Sequence, residues 1–284
     1  MKPLEFLAEV LPSSGHGVYC AAELSSAKKE HVFVEKLEEI RPTVKRWLTK
    51  QRDIYFALAT FTDSGGGRKA ANAAYIKSIF IDMDGYDSKK AAAAALAEFL
   101  EKTGLDAFGT PHIIGSGGGL HCYWPLLEAA DIPTWKPIAE NFKRLCKQEG
   151  LNIDQTVTAD AARVLRIPGT FNNKAKYVTP RPVQFLLQGS GPIDLRRFGA
   201  AVRGKVSEAY APVSNAFVAT SIQLDGVRPT KAQHKKSAAV EAMLNNGTTR
   251  FETIWIKSEK SVGCGQLEFY LNNAQQDGME PLWR

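Results

Sequence analysis

An apolar run that ends in two acids, "YIKSIFIDMDGYD" over residues 75–87, sets the terms for the first half of the chain. Strand alternation places Ile79, Ile81 and Met83 on one face and Phe80, Asp82 and Asp84 on the other, so the two carboxylates project together. The segment that follows, "DSKKAAAAALAEFLEKTG", has an Asp/Ser start, an alanine-rich body and a closing Gly, the strongest helix signal in the chain. Helix and strand signals alternate in this way through the first two hundred residues, which predicts an α+β, mixed α/β domain.

Upstream, "EKLEEIRPTVKRWLTKQ" carries Leu37, Ile40, Val44 and Trp47 at helical spacing, interrupted by Pro42, and "DIYFALATF" reads as a buried strand. The loop "TDSGGGRKAANAA" leads into the acid-bearing strand. Downstream, "PHIIGSGGGLHCYWPL" predicts two strands joined by a glycine turn, and "TWKPIAENFKRLCKQEG" a helix closed by Gly150. On the second of those strands His121 and Tyr123 share a face, with Cys122 and Trp124 on the other. Beyond about residue 200 the patterning loosens. We expect a core over 1–200, a connector over 201–230 and a small helical domain over 231–284, truncated at "EPLWR".

The excess of 36 Lys+Arg over 30 Asp+Glu, +6 in all, permits a polyanionic partner without requiring one. Cys20, Cys122, Cys146 and Cys264 form no CxxC pair, so neither a disulfide framework nor a zinc site is expected. No apolar run approaches the roughly 20 residues of a membrane-spanning helix, and the N-terminus lacks a secretory signal, so the expectation is a cytoplasmic protein with no membrane partner.

Two carboxylates at i and i+2 can reach one pair of divalent ions, the arrangement by which polymerases and nucleases activate a hydroxyl and stabilise a leaving oxygen. An ordinary acidic turn at Asp84-Gly85 is the competing explanation. Gly115, Gly117, Gly118 and Gly119 ahead of His121 would let backbone N–H groups approach a phosphate, or simply form a hairpin turn. Read as a strand, "NIDQTVT" puts Ile153 and Val157 inward and Asp154 toward the acids, making Asp154 the third ligand. Asp160 is its rival, three residues before Arg163, at a spacing that suits a cap or an Asp160–Arg163 ion pair. Between Ala161 and Ile193 no acid occurs, while Arg163, Arg166, Lys174, Lys176 and Arg181 accumulate, a pattern suited to phosphates. Tyr75, Phe171 and Tyr177 receive no role, since such aromatics are as often core residues.

Asp82-Met-Asp84, a Gly-rich turn running into His121, and an acid ahead of "ARVLRIPGTFNNK" together resemble the archaeo-eukaryotic primase superfamily, and within it the primase-polymerases of phages and plasmids. The motifs cover roughly residues 50–190. The resemblance implies a catalytic core with an RRM-like sheet and template-directed nucleotidyl transfer. Asp82, Asp84 and Asp154 would hold two Mg2+ or Mn2+ ions, with no zinc. Ser116, Gly118, Gly119 and His121 would hold the nucleotide's phosphates, joined by Arg166 and by Arg68 and Asn72 of the upstream basic loop. Arg163, Lys174, Lys176 and Arg181 would line the template.

The implied partners are a single-stranded DNA template, a primer and nucleoside triphosphates. The tail is similar to the helical domain that follows such cores, often ahead of a helicase, so a C-terminal helicase partner is expected in a phage- or plasmid-encoded protein of a bacterial or archaeal cell. Two rivals stay open: a metal-dependent nuclease, which has no use for a phosphate cradle at His121, and a non-catalytic replication initiator, which would tolerate neutral residues at 82, 84 and 154.

Overall fold

The acid-bearing strand is the middle of a larger arrangement of antiparallel sheets. The computed structural model describes residues 1–207. Their order is α1 (Pro3–Val10), β1 (Tyr19–Glu23), β2 (Glu30–Val34), α2 (Ile40–Thr49), β3 (Ile54–Ala57), β4 (Ala59–Phe61), β5 (Ala73–Met83), α3 (Lys89–Thr103), β6 (His112–Gly115), β7 (Leu120–Asp131), α4 (Ile132–Gln148), β8 (Val164–Arg166), β9 (Phe171–Asn172), β10 (Arg181–Pro182), β11 (Gln184–Leu187) and α5 (Leu195–Arg203). One sheet runs β11-β6-β7-β5-β4, a second β2-β1-β3-β8, and β9 pairs with β10. The pairs are antiparallel throughout, so the fold is mixed α and β, as the sequence predicts.

Local chemistry explains the elements that carry the site. Ser88 caps α3 by accepting from the Ala91 N–H at 3.0 Å, and Gly104 ends it in the left-handed conformation at φ +62°. Asp131 caps α4 in the same way, accepting from Thr134 N at 2.8 Å. The helix expected from residue 35 begins as a short 3-10 turn, Leu37–Glu39, and becomes α-helical only at Ile40. Pro42 then falls in the first α-helical turn, where its missing N–H leaves no bond unmade.

The register of β5 on β7 pairs Ile79 with Trp124, Ile81 with Cys122 and Met83 with Leu120. On this apolar side Trp124 meets Phe142 of α4 and Phe198 of α5, with ring centroids 5.6 and 6.5 Å away. All three rings are essentially fully buried, each worth about 1.5–3 kcal/mol in area removed from water. The other side of β7 presents Tyr123, which meets Phe6 of α1 at 5.1 Å and Phe56 of β3 at 6.3 Å. Those contacts bring the second sheet against the face that bears the acids.

Three expectations change. "DIYFALATF" is two strands: after Ala57 the chain leaves the second sheet, and at Ala59 it joins the first beside β5. The break falls at Leu58, whose N–H bonds the Arg163 carbonyl at 3.1 Å instead of a neighbouring strand. "NIDQTVT" is not a strand but a chain of turns, with Val157 N–H on Asp154 O and Asp160 N–H on Val157 O, both 3.1 Å. Its inward pattern survives, since Ile153 and Val157 are buried, because successive turns also return a side chain to the core. Finally, α5 runs past residue 200 to Arg203, and Ser207 N–H bonds Gln148 Oε1 at 2.9 Å. The rest of the expected connector and the whole expected helical domain lie outside the described residues. Among the described residues no helix is long and apolar enough to cross a membrane.

Candidate active site

Asp82 and His121 are directly opposed across β5 and β7, with His121 Nε2 3.8 Å from Asp82 Oδ1. Asp82 Oδ1 is buried and has no hydrogen-bond partner. Burial first, then the charges of Asp84 and Asp154, push the Asp82 carboxyl up to about 7, against the opposing pull of Arg163 and Arg166. The three predicted acids therefore share one electrostatic environment.

Each acid is held differently. Asp84 follows the end of β5 and lies against the glycine turn: a Cβ on residue 119 would overlap the Met83 carbonyl and the Asp84 carboxylate, so only glycine fits there. Asp154 is anchored by its own N–H on the Asp82 carbonyl at 2.8 Å, and its Oδ1 accepts from Thr156 N at 2.8 Å and Thr156 Oγ1 at 2.6 Å. Burial raises the Asp154 carboxyl, but the Thr156 hydrogen bonds and Arg163 outweigh it and hold the group below its ordinary value. Asp160 braces a turn, accepting from Ala162 N at 2.9 Å, and is absent from the groups that act on Asp82. The ion pair entertained between Asp160 and Arg163 is replaced by one between Arg163 Nη2 and Asp154 Oδ2, at 3.7 Å. The reason is that the Asp160–Arg163 spacing closes a backbone turn, Arg163 N–H on Asp160 O, while the Asp160 carboxylate turns to Ala162.

His121 is almost wholly buried, and burial, then Arg166, Arg163 and Lys174, lower its pKa to about 3, so the imidazole is neutral. Its Nδ1 lies 3.3 Å from the Tyr123 hydroxyl. With that hydroxyl donating, Nε2 carries the hydrogen on the side of the acids. The turn ahead of it is tight: Ser116 N–H bonds Gly119 O, and Ser116 Oγ accepts from Gly119 N, each at 2.9 Å. The Gly119 N–H is thus already bonded and shapes the turn, whereas the Gly118 N–H has no partner among the described residues.

The basic residues divide into buried and exposed sets. Arg166, on β8, is buried, with Nη2 donating to the Tyr55 hydroxyl at 2.8 Å and to Asp53 Oδ1 at 3.3 Å, while its Nε is buried without a partner. Lys174 and Lys176 are exposed. Arg181 is exposed, stacks on the Tyr177 ring at 4.0 Å and donates to Gly117 O at 3.4 Å. Arg68 bonds the Ala162 carbonyl, beside Arg163, and reaches His31 Nε2 at 3.2 Å. Asn72 uses its amide on Asp63 O at 2.8 Å and Gly67 O at 2.9 Å, closing its own loop.

Sequence reasoning missed Asp53 and Tyr55, which hold Arg166, and gave no role to Tyr123, which shares the His121 face and holds that ring. The alternation that put Asp82 and Asp84 together also puts Asp53 and Tyr55 on one face, and that signal was available. Among the described residues no three His, Cys, Asp or Glu side chains converge as a ready-made metal cage. The orphaned, buried Asp82 oxygen and its raised pKa nevertheless fit a cation, which would supply the missing partner and countercharge.

No family model matches the chain. A curated replication protein of Clostridium perfringens is 29% identical over 129 residues, which are 44% of this chain and 30% of that protein's length. The chain thus spans under a third of its curated relative. In structure the chain is similar to the AEP domain of the cyanophage S-2L primase-polymerase, with 19% identity, a TM-score of 0.49, and coverage of 66% of this chain and 89% of that one. It is also similar to the catalytic domain of primase RepB' in complex with initiator DNA, with 11% identity, a TM-score of 0.47, and coverage of 75% and 100%.

Proposed function

We propose that the chain is a template-directed nucleotidyltransferase, a primase-polymerase acting in DNA replication. The reaction is attack of a strand's 3′-hydroxyl on the α-phosphorus of a nucleoside triphosphate, forming the phosphodiester and releasing pyrophosphate. One observation carries this reading: a buried, unpartnered carboxylate oxygen on Asp82, directly across the sheet from a neutral His121 and flanked by two further acids.

Asp82, Asp84 and Asp154 would hold two Mg2+ or Mn2+ ions. Ions held there would supply Lewis-acid chemistry, lowering the pKa of an attacking hydroxyl and offsetting charge on released pyrophosphate. The chain's own groups account for the rest. His121, kept neutral by burial, would offer an uncharged N–H donor to a triphosphate oxygen and adds no positive charge next to Asp82. Arg166 offers its unpartnered Nε while Tyr55 and Asp53 fix its other end. The Gly118 N–H is open to a phosphate, with Ser116 and Gly119 holding the turn that presents it. Lys174, Lys176 and Arg181, being exposed, suit a template backbone better than a buried nucleotide.

The full chain, incubated with a primed single-stranded template, nucleoside triphosphates and Mg2+ or Mn2+, should extend the primer, and chelation should stop it. Degradation of the strand without consumption of triphosphates would identify a nuclease instead. Strand binding with neither reaction would identify an initiator.

A further inference from the structure

Beside the acidic face, two cations flank one turn, and the charge that acts on Lys89 is that of Arg181, with no acid among the groups that act on it. Lys89 opens α3, is half-buried, and has no hydrogen-bond or ion-pair partner among the described residues. Its ammonium lies over the end of β6, where a Cβ on Gly115 would come within 3.0 Å of Nζ. Arg181 stands across the same turn: a Cβ on Gly117 would lie 3.1 Å from the Arg181 Cβ, and the guanidinium is clamped over Tyr177 at 4.0 Å. Burial, and after it the charge of Arg181, holds the Lys89 ammonium below its ordinary value. Two like charges, one of them half out of water and unpaired, cost stability unless an anion comes between them.

We infer that Lys89 and Arg181, on either side of the Gly115–Gly119 turn, form a subsite for one phosphate group, from either a strand backbone or a nucleotide. The chemistry is that of a phosphate oxyanion: a point charge from lysine and a planar fork from arginine held flat by an aromatic ring. The subsite lies beside the acids without being part of them. Gly118, whose added Cβ would reach the Tyr177 hydroxyl on one side, lies 3.9 Å by the same measure from Asp84 Oδ1 on the other. The inference rests on the function proposed above only in taking phosphate as the ligand. Its assay reads binding and not incorporation, so either can fail without the other.

The experiment measures binding of the full chain to a labelled single-stranded oligonucleotide across a salt series, and to a non-hydrolysable nucleoside triphosphate by calorimetry. For Lys89→Gln the slope of log affinity on log salt should flatten by about 0.7 if a strand phosphate occupies the subsite. Lys89→Arg should keep the slope, and the melting temperature of Lys89→Gln should stay level or rise, because a repulsion has been removed. A loss confined to the triphosphate would also support the subsite and assign its phosphate to the nucleotide. Unchanged slope and unchanged triphosphate affinity would overturn the inference, as would a lowered melting temperature with both affinities intact. Should Lys89→Gln fail to fold, Arg181→Gln, altered at an exposed side chain, must show the same loss, and its absence there is equally decisive.

Discussion

Removing Asp53 tests how the second sheet serves the site. Its carboxylate is buried, accepts from Arg166 Nη2 at 3.3 Å and from the Asn173 N–H at 2.9 Å, and so ties the start of β3 to both ends of the segment after β8. Asp53→Ala leaves the Arg166 charge buried, at a cost of about 3–5 kcal/mol for breaking one side of such a pair, and orphans a backbone donor. The Tyr55 hydroxyl and ring, 2.8 and 4.8 Å from the guanidinium, stay in place and hold the loss to the lower end, about 3 kcal/mol. Urea denaturation of Asp53→Ala, Arg166→Met and the double variant measures it. The double variant should be less destabilised than the two singles summed, since it leaves no unpaired charge. In steady-state assays Asp53→Ala should raise the KM for nucleotide more than it lowers kcat, because Arg166 is loosened and the acids are untouched. Destabilisation below about 1 kcal/mol, with unchanged KM, would refute the role given to Asp53 and leave the pair no more valuable than a surface ion pair.

Two further outcomes follow from single residues. Glu23 is buried. Burial works to raise its carboxyl, but hydrogen bonds from Ser25 and Ser26 outweigh this and hold it at about 2. A depressed carboxyl stabilises the fold above its unfolded value and loses that contribution as pH falls through the folded one. Acid unfolding of the native chain should therefore show a loss of up to about 3 kcal/mol between roughly pH 4.5 and 2 that Glu23→Gln lacks, and identical acid profiles would contradict it. Gly119→Ala should lower both thermal stability and nucleotide incorporation, the latter by about tenfold or more, because the new methyl displaces Asp84 or the Met83 carbonyl. A variant that folds and incorporates nucleotide normally would show that the turn does not position the acid.

What the sequence disclosed was what local rules govern. The β5 alternation, the Ser88 and Gly104 caps of α3 and the β6–β7 turn are each settled within a few residues, and each is present where expected. The same locality brought Asp82, Asp84 and His121 into view. Asp154 lies beside Asp82 for a reason other than the strand register the sequence suggests, since a chain of turns carries it and the bond that fixes it runs to the Asp82 carbonyl. Asp53 and Arg166 are 113 residues apart, and their meeting depends on β3 pairing with β8, a contact between sequence-distant strands that no periodicity announces. The break at Leu58 was equally hidden, because an apolar run reads the same whether it serves one sheet or two.

Parallel measurement of nucleotide incorporation and single-strand affinity for Asp82→Asn and Asp84→Asn separates chemistry from binding. Incorporation should fall about 10²-fold or more, while strand affinity should be equal or slightly higher because a negative charge has left the cleft. Asp154→Asn should join them, and Asp160→Asn, which removes only a turn brace, should retain most activity. Incorporation at the native level in all three acid variants would contradict the proposal that these carboxylates carry the chemistry.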